Sequence, residues 1–347
     1  MASFGNVINE ENRPFEYMIL DNFLTDRDFL KVESFYNELS FKEVHTDLFR
    51  FLQSNELFFE EKIKFFKQEL DKIFRDKNSS GDAYYSMFAS YYREGDFLLC
   101  HDDMVDERMY AFTFYLEDFD SGQLLLFENN CQTIHKRIDV RKNRLVIFKV
   151  ESKSFHEVDI CLKDGRKALS GWFNVPNKKN LALKREKSYS VAENIEFFDL
   201  EVDIDDQDFI FMEFEDILVK EVRRHVQGPF IDRRCVKIEY EKLYAPRFDG
   251  YELIHCECLK FRESDYILAN DLINLENSDN IMDVFIFKCS ENVPDFIFYS
   301  NNNSELEFTV DALDGHLFIG KRKGKNISIH RSKKTVLMKH FMYCLRN

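Results

Sequence analysis

Four residues between positions 101 and 166 have side chains and spacing that suit iron chemistry. They are His101 and Asp103 in LLCHDDMVDE, His156 in SKSFHEVD and Arg166 in KDGRKALSGW. Two His and one carboxylate can bind one face of an iron(II) ion and leave three coordination positions open. A 2-oxo acid can occupy two of these and dioxygen the third, while the Arg holds the distal carboxylate of that acid. The pattern predicts an oxygenase that uses iron(II), 2-oxoglutarate and dioxygen.

A His-x-Asp tripeptide alone is a weak indication of a metal site, because the chain contains two of them. The other is His45-Thr46-Asp47, which has no matching downstream pair of His and Arg of its own. The members of the set at 101, 103, 156 and 166 each lie in a segment typical of a β-strand or strand edge. This context favours the set over the alternative that the four are ordinary surface residues.

Short segments rich in Phe, Leu, Val, Ile and Tyr surround these residues and predict consecutive β-strands. They are SMFASYYREGDFLLCHDD, MYAFTFYLED, GQLLLFEN, NRLVIFKV, SFHEVDICL and ALSGWFNV, and we interpret the first as one half-buried strand that ends at the site. Many short strands separated by Gly, Asn and Asp turns are typical of a two-sheet jelly roll, whose mouth can bring together ligands from non-adjacent strands.

Two helices are predicted before these strands. In TDRDFLKVESFYNELSF, Thr25 and Asp28 can cap the first helix, and LFFEEKIKFFKQELDKIF carries an apolar stripe at helical spacing. We expect both apolar faces to pack on the outside of a sheet. The predicted fold class is therefore mainly β with flanking helices.

The length of 347 residues makes two domains the default expectation. The patternless basic stretch NKKNLALKREKSYS, followed by the acidic EFFDLEVDIDDQD, marks a boundary between them. We predict a catalytic domain at residues 1–180 and a second domain at residues 181–347. The second domain is expected to contain a helix in FEDILVKEVRRHV and then further strands.

The second half contains a partial repeat of the first. REGDFLLCHDD at 93–103 aligns without gaps on RESDYILANDL at 262–272, which places His101 opposite Asn270 and Asp103 opposite Leu272. The second copy therefore cannot build the same metal site. A duplicated jelly roll whose second copy has lost its metal explains the repeat, and chance similarity of two strand-and-turn segments is the alternative.

The formal charge of −15 argues against a nucleic-acid backbone as the main partner and fits a basic protein better. The eight Cys form no CxxC pair and the chain opens without an apolar signal core, which predicts reduced thiols and an intracellular protein. We expect it in the cytoplasm, the nucleus or both. No run is apolar enough to predict a membrane helix, and the sequence leaves the oligomeric state open.

Several longer strings resemble one family, the eukaryotic iron- and 2-oxoglutarate-dependent oxygenases that hydroxylate a prolyl residue of a small-subunit ribosomal protein at the decoding centre. In the first half they are HTDLFRFLQSNEL, YYREGDFLLCHDD, NRLVIFKVESKSFHEV and GWF, and in the second GYELIHCECLKFRESDYILAND. The resemblance covers nearly the whole chain. It implies two tandem double-stranded β-helix domains, of which only the first binds metal, and a role in translation fidelity or termination.

The resemblance also implies roles for individual residues. His101, Asp103 and His156 would bind iron, Arg166 would hold the 2-oxoglutarate carboxylate, and Tyr92 and Tyr115, on neighbouring strands, would lend hydrogen bonds to it. Ascorbate is the expected reductant. The chain departs from the family at Ala168, where relatives often place a Ser that also reaches the carboxylate, and the loss of that hydroxyl predicts weaker co-substrate binding by about 1 kcal/mol.

Some alternatives stay open. Trp172, six residues beyond Arg166, is interpreted as a wall of the substrate pocket or as a buried core residue. A regulatory scaffold that keeps the oxygenase fold without turnover is the main alternative function. A nucleic-acid demethylase with the same metal chemistry is opposed by the net charge. The position and number of hydroxylations and the partner of the second domain cannot be predicted from the residues.

Overall fold

The computed structural model describes residues 6–46, 48–57, 61–75, 82–129, 133–179, 195–200, 202, 209–213, 221–224, 233–239, 243–269, 274, 278–301, 305–330 and 332–346. These fall into two compact units, the first within Met1–Leu183 and the second within Lys184–Gln227 and Asp232–Asn347. The boundary predicted between residues 180 and 181 lies outside the described residues and stays a prediction.

The first unit contains both predicted helices, α1 (Asp26–Asn37) and α2 (Lys64–Phe74), the second preceded by a 3₁₀ turn at Glu61–Ile63. Helix α1 begins as predicted, because the Thr25 side chain accepts a hydrogen bond from the Asp28 backbone N–H at 3.2 Å. The apolar faces of both helices lie in one core with the outward faces of the strands. The prediction that the helices pack on the outside of a sheet is confirmed.

Twelve described strands form the sheet of the first unit. They are β1 (Asn6–Glu11), β2 (Tyr17–Asp21), β3 (Phe41–His45), β4 (Phe49–Ser54), β5 (Tyr84–Tyr92), β6 (Phe97–His101), β7 (Arg108–Tyr115), β8 (Phe119–Phe127), β9 (Ile134–Val140), β10 (Leu145–Lys149), β11 (His156–Val158) and β12 (Arg166–Asn174). The segment interpreted as one strand running to the site is two strands, β5 and β6. The turn Arg93–Asp96 separates them. In this turn the Asp96 side chain accepts a hydrogen bond from the Arg93 N–H, and the Asp96 N–H donates to the Arg93 carbonyl.

The strand order of the first unit is that of a double-stranded β-helix. Counted from β5, the sixth, third, eighth and first strands lie side by side as β10-β7-β12-β5, and the second, seventh, fourth and fifth follow as β6-β11-β8-β9. Strand β4 joins the two groups. Inward side chains of the two groups form a core of their own, separate from the core under the helices.

The second unit contains fourteen described strands. They are β13 (Ile195–Asp199), β14 (Phe209–Glu213), β15 (Glu221–Arg224), β16 (Arg233–Arg234), β17 (Val236–Glu239), β18 (Leu243–Arg247), β19 (Tyr251–Phe261), β20 (Tyr266–Ile267), β21 (Ile281–Cys289), β22 (Val293–Ser300), β23 (Leu306–Ala312), β24 (His316–Lys321), β25 (Asn326–Ser328) and β26 (Val336–Leu345). The helix predicted in FEDILVKEVRRHV is wrong at Glu221–Arg224, where the chain pairs with β17 instead.

The second unit repeats the strand order of the first. Counted from β19, the sixth, third, eighth and first strands again lie together as β24-β21-β26-β19. The fourth strand, β22, lies between the seventh and the fifth, and Ile267 of the second strand bridges to Ile329 beside the seventh. This shared order is what a duplicated fold predicts.

The turn at the sequence repeat is also the same in both units. The Arg262 N–H donates to the Asp265 carboxylate at 2.9 Å and the Asp265 N–H to the Arg262 carbonyl at 3.0 Å, as Arg93 and Asp96 do in the first unit. The third residue has a positive φ in each, 79° at Gly95 and 68° at Ser264. The gapless alignment of these segments is therefore also a structural alignment.

Seven cysteines lie in the part of the chain that the structure describes, and none of these seven is in a disulfide. None of the described helices is long and apolar enough to cross a membrane.

Candidate iron and 2-oxoglutarate site

The register of two short strands brings the predicted histidines together. His101 ends β6 and His156 begins β11, and the two residues are directly paired across these antiparallel strands. Their ring centroids lie 4.1 Å apart. Asp103 follows in the loop after β6, where a φ of 60° turns the chain into the left-handed region, which Asp tolerates better than most residues. All three side chains are buried.

The backbone fixes which nitrogen of each histidine faces Asp103. His101 Nδ1 lies 2.8 Å from the Leu99 carbonyl, and His156 Nδ1 lies 2.8 Å from the Ser154 carbonyl. Because a carbonyl only accepts, both Nδ1 atoms carry the proton and both Nε2 atoms keep a lone pair. These Nε2 atoms lie 3.6 and 3.5 Å from the two carboxylate oxygens of Asp103.

This donor set fits a transition-metal ion. The ligand atoms of His101, Asp103 and His156 all lie within 4.8 Å of one another, and no other such group of three occurs within the described ranges. Two imidazoles and one carboxylate suit iron(II), and hydrogen bonds from the far ring nitrogens to carbonyls are the usual outer support of metal-binding His. The three side chains can hold iron(II) with little rearrangement.

The protonation states also favour metal binding. Burial lowers the pKa of His101 to about 4, so this ring is neutral at physiological pH. Burial alone raises the pKa of Asp103, but its interactions with the imidazoles of His156 and His101 and with the Arg108 guanidinium outweigh burial and hold that pKa well below its usual range. A neutral imidazole and an ionised carboxylate are the forms that bind a metal ion.

Two further side chains hold the Asp103 carboxylate. Trp172 Nε1 donates to one oxygen at 3.0 Å, and Arg108 Nη1 donates to the other at 3.0 Å. The Arg108 guanidinium carbon also lies 3.6 Å from the centroid of the Trp172 ring. Trp172 therefore orients a candidate ligand in addition to lining the pocket. Arg108 was not predicted from the sequence, where only its position five residues after Asp103 could have drawn attention to it.

The variant Trp172→Phe should bind metal roughly tenfold more weakly than the wild type, because loss of an outer partner of a ligand usually costs 10- to 100-fold. Phe keeps an aromatic face for Arg108 but cannot donate to Asp103. Competition of Zn(II) between the protein and a chromophoric chelator measures the change. Lys167→Gln, on the outward face of β12, is not expected to weaken binding. Equal affinities of Trp172→Phe and wild type would remove Trp172 from the ligand's support.

Arg166 lines the same cavity as His101, Asp103 and His156. Its Nε donates to the Gly122 carbonyl at 2.8 Å, which leaves the two terminal nitrogens to grip a carboxylate. The site requires Gly122: its φ is 61°, and a Cβ there would lie 2.8 Å from the Arg166 Cδ. Such close packing fixes the direction of the guanidinium, which is the arrangement a bidentate carboxylate contact needs.

Both predicted tyrosines lie beside Arg166, although not on adjacent strands. Tyr92 on β5 and Tyr115 on β7 flank β12 on its two sides. The Arg166 guanidinium carbon lies 4.6 Å from the Tyr92 ring centroid and 5.2 Å from that of Tyr115. Burial raises the pKa of Tyr115, and its hydroxyl has no hydrogen-bond partner among the described residues. A buried, unpartnered hydroxyl beside a buried guanidinium fits the carboxylate of 2-oxoglutarate.

One cavity joins the candidate metal ligands to Arg166. Of the seven predicted site residues, Tyr92, His101, Asp103, His156, Arg166 and Trp172 line it and Tyr115 does not. Ala168, on the inward face of β12 between Arg166 and Ser170, is fully buried and paired with Tyr115. The Tyr115 hydroxyl can take the place of the hydroxyl that Ala168 lacks.

Arg166→Lys should raise the KM for 2-oxoglutarate about tenfold. A lysine keeps the charge, but it loses both the fork and the bond to Gly122 that aims it. Steady-state succinate formation at varied 2-oxoglutarate measures the effect, with Lys167→Gln on the outward face of the same strand as the control. An unchanged KM in Arg166→Lys would contradict the assignment.

The second unit has apolar side chains at the positions that correspond to this site. Tyr92 and Arg166 are paired on β5 and β12, and their counterparts on β19 and β26, placed by the shared turn, are Phe261 and Val336. The same register equates Tyr115 with Phe287. His156 corresponds to Ile327, because the Ile267–Ile329 bridge of the second unit matches the Leu98–Val158 pair of the first. All four replacements are buried in one apolar core. Asn270 and Leu272, the predicted counterparts of the other two ligands, lie outside the described residues.

Comparison with known proteins gives a match over the site-bearing part of the chain. The family model of the 2OG-Fe(II) oxygenase superfamily matches residues 87–174, which include His101, Asp103, His156 and Arg166. Prolyl 3-hydroxylase OGFOD1 of Xenopus laevis is 34% identical over 192 residues, which are 50% of this chain and 37% of that protein. Prolyl 3-hydroxylase sudestada1 of Drosophila melanogaster is 34% identical over 107 residues, covering 26% of this chain and 20% of that protein.

The aligned region covers less than half of these curated relatives. Prolyl 3,4-dihydroxylase OGFOD1 of Ostreococcus tauri is 28% identical over 53% of this chain and 42% of its own length. A Pseudomonas putida prolyl-4-hydroxylase structure is 19% identical, with a TM-score of 0.38 over 46% of this chain and 91% of that one. The residues matched by the family model include six residues that line the cavity, Tyr92, His101, Asp103, His156, Arg166 and Trp172. Residues 87–174 form a 2OG-Fe(II) oxygenase domain.

Proposed function

We propose that this chain hydroxylates a prolyl residue of a small-subunit ribosomal protein at the decoding centre. The cavity that joins three metal ligands to Arg166 is the observation that carries the oxygenase chemistry. The prolyl target is supported by the names of the relatives, which are prolyl hydroxylases from animals and an alga. The ribosomal target is supported by the sequence resemblance described above. We propose that this hydroxylation affects translation fidelity or termination, and that the protein acts in the cytoplasm, the nucleus or both.

Each group of the cavity has a defined task in this proposal. Bound iron(II), with 2-oxoglutarate and dioxygen, supplies the oxidising power that converts a C–H bond to C–OH, and ascorbate serves as reductant. His101, Asp103 and His156 hold the metal, and Trp172 and Arg108 hold Asp103 in its binding orientation. Arg166 with Tyr92 and Tyr115 fixes the far carboxylate of the co-substrate. The apolar wall formed by Phe88, Leu98, Leu124, Phe148 and Val158 excludes water.

The charge of the chain suits such a substrate. The formal net charge is −15, whereas ribosomal proteins that contact RNA are basic, and opposite charges speed association. The hydroxylated position is proposed to be C3, as in the names of the animal relatives. The second unit is proposed to recognise a partner without metal, since the counterparts of Arg166 and His156 there are apolar.

The test is the mass of a peptide from the decoding-centre protein after incubation with this protein, iron(II), 2-oxoglutarate, ascorbate and air. A gain of one oxygen on the proline, absent with His156→Ala and with a proline-to-alanine peptide, is the expected result. Amino-acid analysis of the hydrolysed product distinguishes 3-hydroxyproline from 4-hydroxyproline. Binding of metal and 2-oxoglutarate without oxygen gain on the peptide or on intact small subunits would favour the scaffold alternative.

A further inference from the structure

Two polar side chains in the cavity have no task in the chemistry described so far. The polar lining residues are Tyr92, His101, Asp103, Thr113, His156, Arg166, Ser170 and Trp172, and the rest of the lining is apolar or glycine. The metal ligands, Arg166 with Tyr92, and Trp172 each have a role. Thr113 on β7 and Ser170 on β12 remain, and these two residues are directly paired across the strands.

The register places this pair on the metal side of the cavity. Arg166, Ala168, Ser170 and Trp172 succeed one another on the inward face of β12. Ser170 therefore lies two inward positions from Arg166 and immediately before Trp172, which bonds to Asp103. A 2-oxo acid held by Arg166 at one end and by the metal at the other must pass these hydroxyls near its metal-bound end.

The two hydroxyls leave a hydrogen-bond donor for a ligand. Thr113 Oγ1 and Ser170 Oγ lie 3.3 Å apart, longer than the usual O–H···O distance of about 2.7–2.8 Å. Only one hydroxyl can donate to the other within the pair, so the second O–H is available to an acceptor. In a cavity whose remaining walls are apolar, an anionic carboxylate oxygen is the acceptor such a donor fits best.

The second unit lacks this pair together with the other co-substrate residues. Strand pairing also gives the counterparts of these two residues in the second unit. In the register already described, Thr113 corresponds to Phe285 and Ser170 corresponds to His340. Phe285 and His340 stack on each other with ring centroids 4.5 Å apart. The hydroxyl pair is thus present in the first unit, which has Arg166, Tyr92 and Tyr115, and absent from the second unit, which has apolar residues at those three positions.

We infer that the Thr113–Ser170 pair binds the metal-side end of 2-oxoglutarate, donating a hydrogen bond to its 1-carboxylate. This inference rests on the proposed use of 2-oxoglutarate. Arg166 and the hydroxyl pair then hold opposite ends of one co-substrate and fix its orientation in the cavity.

The test uses ligands that distinguish the two ends. Oxalate offers the metal-side chelating group without a distal carboxylate, whereas 2-oxoglutarate has both. Each is titrated into Zn(II)-loaded protein, and binding is followed by the fluorescence of Trp172, the single Trp of the chain, which lines the cavity. The variants are Thr113→Val with Ser170→Ala, Arg166→Lys, and the hydroxyl-keeping double variant Thr113→Ser with Ser170→Thr.

Loss of the hydroxyl pair should weaken both oxalate and 2-oxoglutarate about tenfold, the usual effect of removing a hydrogen bond to a charged group. Arg166→Lys should weaken 2-oxoglutarate alone, and the hydroxyl-keeping variant should bind both ligands within about threefold of wild type. If the hydroxyl-free variant loses 2-oxoglutarate but keeps oxalate, or keeps both, the inference is wrong. If Zn(II)-loaded wild type binds neither ligand, the proposed function itself fails. Equal thermal unfolding of the variants shows that each retains its fold.

Discussion

Replacing Asp103 by alanine is expected to abolish metal binding and 2-oxoglutarate turnover while leaving the fold intact. Asp103 is the only carboxylate in the buried group of three ligands, and both of its oxygens face a histidine Nε2 at about 3.5 Å. Loss of an outer partner of a ligand costs 10- to 100-fold in affinity, so loss of the ligand should cost at least about a hundredfold. Iron content after dialysis and succinate formation measure the two effects.

Two further variants make this prediction specific. Asp103→Asn keeps the side-chain shape and tolerates the φ of 60°, so its failure to bind metal would reflect charge and not backbone strain. His45→Ala removes the His of the other His-x-Asp tripeptide, an exposed residue at the end of β3, and should leave metal content unchanged. Full iron content and activity in Asp103→Ala would refute the assignment of the ligand.

The candidate site could be predicted because its chemistry is visible in residue types. Two His, one Asp and one Arg at these spacings are rare outside metal chemistry, and the flanking apolar runs indicated strands. The orientation of the ligands could not be predicted, because it depends on pairing register. Trp172 can contact Asp103 because β12 is paired with β7 and β5. A local sequence pattern does not predict which strands are neighbours in a sheet.

The fold shows the same division between local and non-local information. Helix α1 begins at its predicted cap, because a cap involves residues only three positions apart. Glu221–Arg224 is a strand despite a helical pattern, because pairing with β17 overrides local propensity. The turn after Tyr92 was missed, although Gly95 and Asp96 are ordinary turn residues, because the alternation on either side continues through it.

A buried charged cluster in the second unit has no sequence signal at all. Asp283 on β21 accepts two hydrogen bonds from Arg322, at 2.6 and 2.8 Å, and lies 2.7 Å from His340 Nε2. All three side chains are fully buried. They are separated by up to 57 positions in the chain and meet because β21 is paired with both β24 and β26.

Replacing Asp283 by asparagine is expected to lower the free energy of unfolding by about 3–5 kcal/mol. Removing one partner of a buried ion pair leaves the other charge uncompensated in a medium where it cannot be hydrated. In this cluster the stranded charge is Arg322, which has no exposed surface. Denaturant unfolding measures the loss, and slower hydrogen exchange of β21 and β26 in wild type than in the variant would locate it. Asp249→Asn, in an exposed turn, is the matched control.

The free energy of unfolding that Asp283→Asn loses relative to wild type should be larger at pH 6 than at pH 8.5. Burial alone lowers the pKa of His340, but Asp283 and Glu257 outweigh burial and raise it above its ordinary value. A raised folded pKa adds stability that is fully present below the unfolded value of about 6.5 and disappears as the pH rises through the folded value. Both pH values lie above the lowered pKa of Asp283, so that carboxylate stays ionised throughout.

The pH comparison separates charge from packing. Asparagine fills the same volume as aspartate, so a packing defect would cost the same free energy at both pH values. If the effect is one of charge, the wild type loses stability between pH 6 and pH 8.5 and the variant loses less. In the variant only Glu257 remains to favour the proton on His340. A loss below about 1 kcal/mol at pH 6 would mean that water reaches Arg322, and the cluster would then not be the buried centre of the second unit.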